Sequence, residues 1–163
     1  MPLEKTFKLS EITRILRIKK HFVIHLVEMG IVKPLLDVKG RGKSRVYSYR
    51  NLIEIGIFVH LTQSALPYEI VRRVTNKLGD LLKDYPRETI ETIPYISVLG
   101  LLDGRIQITA AVELFPDTLS PEDFLRKQVH DEMKEKGLKA SDFSYYFIID
   151  VKNISRSIDL NLP

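Results

Sequence analysis

The chain has 163 residues, 44% of them hydrophobic and none of them Cys. That composition supports one compact domain or two small ones and excludes a disordered chain, disulfides, thiolate metal sites and a Cys nucleophile. The net charge of +4 conceals a division: residues 1–50 hold twelve Lys/Arg and four Asp/Glu, a balance of +8, against thirteen and seventeen, a balance of −4, in residues 51–163.

In chain order, Leu9, Ile12, Ile15 and Leu16 fall at helical spacing and predict a first helix, Leu9 to Leu16. After a short break at residues 17–20, His21 to Met29 predicts a second helix with Phe22, Leu26 and Met29 on one face, Val23 and Val27 beside them, and Gly30 as its C-terminal cap. Ile31 to Val38 is apolar and interrupted by Pro34, and Ser44 to Tyr47 reads as strand. Ser48 caps a third helix, about Tyr49 to Ser64, with Leu52, Ile55 and Val59 at its turns. Pro67 opens a fourth, whose stripe Ile70, Val74, Leu78, Leu82 and Tyr85 is core or a dimer seam, and Pro86 ends it.

The remainder changes character. Tyr95 to Leu102 and Arg105 to Val112 flank Asp103-Gly104, a hairpin signal in which both turn residues accept positive φ. Both strands are mostly apolar, so one face needs the following helix and the other is open to an interface. Ser120-Pro121-Glu122-Asp123 opens that helix, which presents Phe124, Leu125, Val129 and Met133 and runs to about Lys136 before Gly137. Tyr145 to Val151 is a third strand, and the tail from Asn153 to Pro163 is left open, with a fourth strand as one option. The expected fold class is α+β: an N-terminal winged helix-turn-helix domain over residues 1–85, then a small β-β-α-β dimerisation or effector module over residues 86–163.

The loop Lys39-Gly40-Arg41-Gly42-Lys43-Ser44 contains Gly-Lys-Ser, the tail of a nucleotide-binding loop. That motif needs Gly five residues before Gly42, where this chain has Asp37, and a helix after Ser44, where it has strand-like Arg45-Val46-Tyr47. A basic, Gly-rich loop running into a strand instead suits the phosphates of a nucleic-acid backbone.

From Phe7 to about Leu78 the chain resembles the DNA-binding domain of MerR-type transcriptional regulators. The resemblance rests on Phe7-Lys8-Leu9-Ser10-Glu11-Ile12-Thr13-Arg14-Ile15-Leu16, on Glu28-Met29-Gly30-Ile31-Val32-Lys33-Pro34, and on Leu66-Pro67-Tyr68-Glu69-Ile70. Its clearest part is the wing exit, Gly42-Lys43-Ser44-Arg45-Val46-Tyr47-Ser48-Tyr49-Arg50-Asn51-Leu52. The chain departs from the family in having Arg17 where Gly is usual in the turn, and Ile24, His25 and Leu26 where Arg and two aromatics are usual. Pro86 stands where a long dimerising coiled coil normally continues.

These readings converge on double-stranded DNA. Lys19, Lys20 and His21 open the second helix, where Lys20 or His21 reaches a guanine edge; Ile24 meets a thymine methyl or packs inside; His25 lies one turn beyond His21. Arg41, Lys43 and Arg45 neutralise backbone phosphates, and Tyr47 either offers its hydroxyl to a phosphate or belongs to the core. His21 and His25 have the spacing of a paired metal site but no third ligand nearby, and His130, Asp131 and Glu132 form a wet helix face. No catalytic constellation, metal or cofactor is expected. With no leader-like N-terminus and no stretch approaching the ~20 apolar residues of a membrane span, the expected protein is a cytoplasmic, homodimeric, sequence-specific transcriptional regulator. The alternative is an architectural or adaptor module acting through protein contacts.

Overall fold

A computed structural model of the chain describes residues 5–37, 44–84, 93, 95–111 and 121–163. The protein is a mixed α+β chain of two compact units, one formed by Met1–Thr92 with Val151–Pro163 and the other by Ile93–Asp150.

The first unit begins with strand β1, Thr6–Lys8, and helix α1, Leu9–Leu16. Glu11 accepts a hydrogen bond from the Lys8 backbone N–H at 2.7 Å, closing the first turn, and Ile12 and Ile15 are buried. Arg17 ends α1 in the left-handed region, φ 54°, ψ 44°, and Ile18 N–H reaches back to Thr13 O at 3.1 Å. This is a Schellman closure, which normally employs glycine; an Arg there costs roughly 1 kcal/mol.

Helix α2, Lys20–Glu28, buries Val23 and Leu26. Its inward face therefore follows that pair; Phe22 is half-buried and Met29 exposed, unlike the Phe22–Leu26–Met29 face predicted. Gly30, φ 70°, turns the chain out, as its sequence position predicted. The segment beyond it forms an antiparallel bridge, with Leu36 and Val46 exchanging backbone hydrogen bonds of 3.1 and 3.0 Å. Strand β2, Val46–Ser48, then pairs with β1 through Phe7 and Tyr47.

Helix α3, Tyr49–Gln63, starts at the predicted cap: Ser48 Oγ accepts from Asn51 N–H at 3.2 Å, and Asn51 Oδ1 accepts from Ser48 N–H at 3.0 Å. Residues 51–58 and Leu61 are buried, so α3 is covered on nearly every side rather than along one stripe. Helix α4, Tyr68–Asp84, follows Pro67 and buries Val71, Val74, Leu78 and Leu82 within the chain. Of the stripe that was core or seam in the sequence, Val74, Leu78 and Leu82 are core, Ile70 is half-buried, and Tyr85 lies outside the described residues.

In the second unit β3, Tyr95–Leu101, lies between β4, Ile106–Ala111, and the last strand, β5, Phe143–Asp150, all antiparallel. Helix α5, Pro121–Glu135, precedes β5 through a short 3-10 turn, Ala140–Asp142, giving the expected β-β-α-β order. The side chains of Phe124, Leu125 and Val129 lie outside the described set. The β3–β4 turn differs from the two-residue form predicted: of its residues only Gly104 has positive φ, 87°. Leu101 N–H donates to Arg105 O and Gly104 N–H to Leu101 O, a three-residue loop with a glycine bulge. Asp103 stabilises it by accepting from both Arg105 N–H and Arg105 Nε. Gly100 lies under the Tyr145 ring, which fills the space a Cβ would need.

The tail is the main correction. Val151–Asn161 is a helix, α6, not a strand, and it belongs to the first unit rather than to the module of residues 86–163. Val151, Ile154 and Ile158 recur at helical spacing, and α6 packs on α1 and α3. Tyr49 Oη donates to Asp159 Oδ1 at 2.6 Å and lies 3.4 Å from Ser155 Oγ, fixing the start of α3 to α6. The contact is close because Gly56 has no side chain: a Cβ there would lie 2.7 Å from Ile154 Cγ2.

Candidate nucleic-acid interface

Helix α2 and its Lys19 cap place five of the nine predicted site residues. Its wall of Val23 and Leu26 faces the core, so Lys20, His21 and His25 stand exposed, preceded by exposed Lys19; Ile24 is half-buried among them. Positions 20, 21, 24, 25 and 28 share one helical side. Cations occupy the N-terminal end of that side and Glu28 the C-terminal end. The first turn has no acidic residue, and the Lys19 side chain makes no capping hydrogen bond. The positive end of the helix dipole therefore faces outward with two ammonium groups on it, an arrangement that disfavours an isolated helix and favours an anion. Among the described residues no carboxylate pairs with Lys19, Lys20, His21 or His25.

The hairpin contributes less free charge than its sequence suggests. Arg45 Nε donates to Asp37 Oδ1 at 2.9 Å, from one residue outside the Leu36–Val46 bridge on the other strand. Asp37 raises the guanidinium pKa above its ordinary value and occupies the fork edge that a phosphate would take. Arg41 and Lys43, with Gly40 and Gly42, lie outside the described residues.

Tyr47 is a correction. It is 0% exposed, paired with Phe7, and its hydroxyl is buried near the Arg45 guanidinium. Burial raises the phenol pKa, with Arg45 opposing. Of its two sequence readings the core one holds, because strand alternation that sends Val46 outward sends Tyr47 in.

Beneath the hairpin root lies a polar network that sequence reading did not find. Asn51 Nδ2 donates to Lys33 O and to Glu54 Oε2, each at 3.0 Å; Arg50 donates to Glu54 Oε1 at 2.8 Å and to Leu82 O at 2.6 Å. The Glu54 side chain is 8% exposed and that of Arg50 16%. Burial raises the Glu54 carboxyl pKa, although hydrogen bonds from Arg50 and Asn51 work against it. The network borders a cavity of about 520 Å³ and ties α3 to both α4 and the segment that leads into the hairpin. An i,i+4 Arg-Glu pair on a predicted helix was its only sequence signal.

Other candidate chemistry does not assemble. Among the described residues no group of three His, Cys, Asp or Glu can hold a metal, so His21 and His25 lack a third partner. His130 and Asp131 are exposed neighbours 3.7 Å apart. No described helix is long and apolar enough to cross a membrane. No protein-family model matches the chain, and no curated protein matches it significantly.

Proposed function

We propose that the first unit is a winged helix-turn-helix that binds double-stranded DNA, with α2 in the major groove and the Leu36–Val46 hairpin as the wing, and that the protein is a sequence-specific transcriptional regulator. The observation that carries the reading is the outward, positive end of α2, where Lys19, Lys20 and His21 stand exposed without an acidic residue in the turn. A helix read at its N-terminal residues, with cations beside them, matches how such modules meet base edges and phosphates. The resemblance of Phe7 to about Leu78 to MerR-type regulators supports the same reading. In it Lys20 and His21 approach a guanine edge and Ile24 a thymine methyl. Lys19 and His25 flank them, and Arg41, Lys43 and Arg45 line the wing. The second unit then dimerises the chain or takes an effector. A homodimer would set two copies of α2 on half-sites about one helical turn apart. This regulator is cytoplasmic, not an enzyme, and needs no cofactor.

The test is binding to DNA flanking the protein's own gene, by footprinting and by fluorescence anisotropy against random duplex. A regulator prefers its site by at least ~10³, and Lys20→Ala changes which bases are preferred. A shallow preference, unaltered by Lys20→Ala, would replace this reading with that of an architectural or adaptor module.

A further inference from the structure

The turn between α1 and α2 holds a long cationic side chain where the backbone disfavours any side chain. Arg17, φ 54°, is the only non-glycine with positive φ among the described residues. Asn or Asp can recover part of that cost by bonding their own backbone; Arg cannot. Its side chain is exposed, and among the described residues it makes no hydrogen bond or ion pair. Folding of the turn therefore gains no hydrogen bond or ion pair from the guanidinium, and the backbone conformation would be met better by glycine.

Arg17 borders a depression of about 250 Å³, with Lys19 and His21 on the same side and Thr62 and Gln63 of α3 on the other. No carboxylate lines it. Thr62 donates its hydroxyl to Val59 O at 2.9 Å, whereas the exposed Gln63 amide offers two further N–H donors. Donors from both walls, net positive charge and no acid select a phosphodiester oxygen over a metal ion or an amine.

We propose that Arg17 and Gln63 form a seat for one backbone phosphate of the duplex, additional to the α2 strip and the hairpin. The proposal rests on the reading of the first unit as a DNA-binding module. It is tested on the full chain by anisotropy with a mixed-sequence duplex over a series of NaCl concentrations. Arg17→Gly weakens binding several-fold for every sequence and flattens the log K against log salt slope by about 0.9, one phosphate contact. The same substitution raises Tm by roughly 3–6 °C, because it relieves the left-handed Arg. Arg17→Lys keeps the wild-type slope; Gln63→Ala weakens binding without changing it. An unchanged slope and affinity in Arg17→Gly would overturn the seat while leaving DNA binding intact. Weakened binding together with a lowered Tm would assign Arg17 to the folding of the turn and also overturn it. If the wild-type chain binds no duplex, the DNA-binding reading itself fails, and the seat with it.

Discussion

Substituting Gly56 by Ala sets two opposite effects against each other inside one helix. In an exposed helix interior the change would stabilise by about 1 kcal/mol, because Ala is the better helix former. Gly56 is not exposed: an added Cβ would lie 2.7 Å from Ile154 Cγ2, 3.6 Å from Ile158 Cδ1 and 3.8 Å from Leu16 Cδ2. Only the first is a true overlap, but Cγ2 can swing away only if Ile154 leaves the single χ1 rotamer a β-branched residue prefers in a helix or if α6 moves. Overpacking of this kind costs about 1–3 kcal/mol, so the overlap wins and Gly56→Ala destabilises by about 1–2 kcal/mol net. Ile154→Ala, at a half-buried position, costs about 1–2 kcal/mol through lost packing. In the double variant the new methyl group occupies space that Ile154 has vacated, so the two losses do not add; the coupling should be near 1 kcal/mol. Urea unfolding followed by far-UV circular dichroism, with hydrogen exchange at α3 amides, measures all four corners of the cycle. Additivity within about 0.5 kcal/mol, the behaviour of sites that do not touch, would refute the packing of α6 on α3 and with it the assignment of the last helix to the first unit.

Two further outcomes test the interior of that unit. Burial raises the Glu54 pKa, so the folded chain holds that proton more tightly than the unfolded chain does; the Glu54 contribution to stability is fully present below the unfolded carboxyl pKa and is lost as pH rises through the folded one. The stability of wild type minus that of Glu54→Gln, from urea midpoints between about pH 4 and 8, should therefore fall with rising pH; a rise would mean that the Arg50 ion pair outweighs desolvation. Tyr47→Phe should leave duplex affinity unchanged and shift stability by no more than about 1 kcal/mol, since the hydroxyl is buried; a several-fold loss of affinity would restore Tyr47 to the DNA-facing set.

What could be read from sequence is what local chemistry decides. Gly30 ends α2, Ser48 caps α3, and Pro67 precedes α4 because each signal acts within one turn of itself. What could not be read depends on partners distant in the chain. Strand β1 is three residues long and exists through its pairing with β2, some forty positions away. Tyr47 is inside because Phe7 lies opposite, and Arg45 meets Asp37 because the Leu36–Val46 bridge sets their register. The tail carried its helical period, Val151, Ile154 and Ile158, but α6 follows β5 directly, with no Gly or Pro at the junction, so the apolar run masked the change of period. Missing α6 also made α3 look one-sided, since the helix that covers its remaining face was unassigned. For the candidate site, the exposed cations of α2 were legible from charge and position, whereas the pairing of Arg45 was not.

The strongest argument for a polyanionic partner is the contrast between neighbouring helices. Helix α3 begins with a Ser whose hydroxyl caps it and an Asn that returns the bond; α1 begins with a carboxylate on its first N–H. Helix α2 shares a Lys cap without a side-chain bond with α1 and the lack of a first-turn acid with α3, but among the three it alone combines the two, and a left-handed Arg stands three residues before its start. Each departure costs about 0.3–1 kcal/mol relative to a Gly, an Asp or a Glu at that place. Together they come to roughly 1–3 kcal/mol in a fold whose total stability is of the order of 5–15 kcal/mol. Locally unfavourable choices that cluster without a compensating contact mark a place where the chain is shaped for something outside itself. All three side chains are cationic, so an anionic surface would offset these costs through new charge-assisted contacts that a neutral partner could not supply.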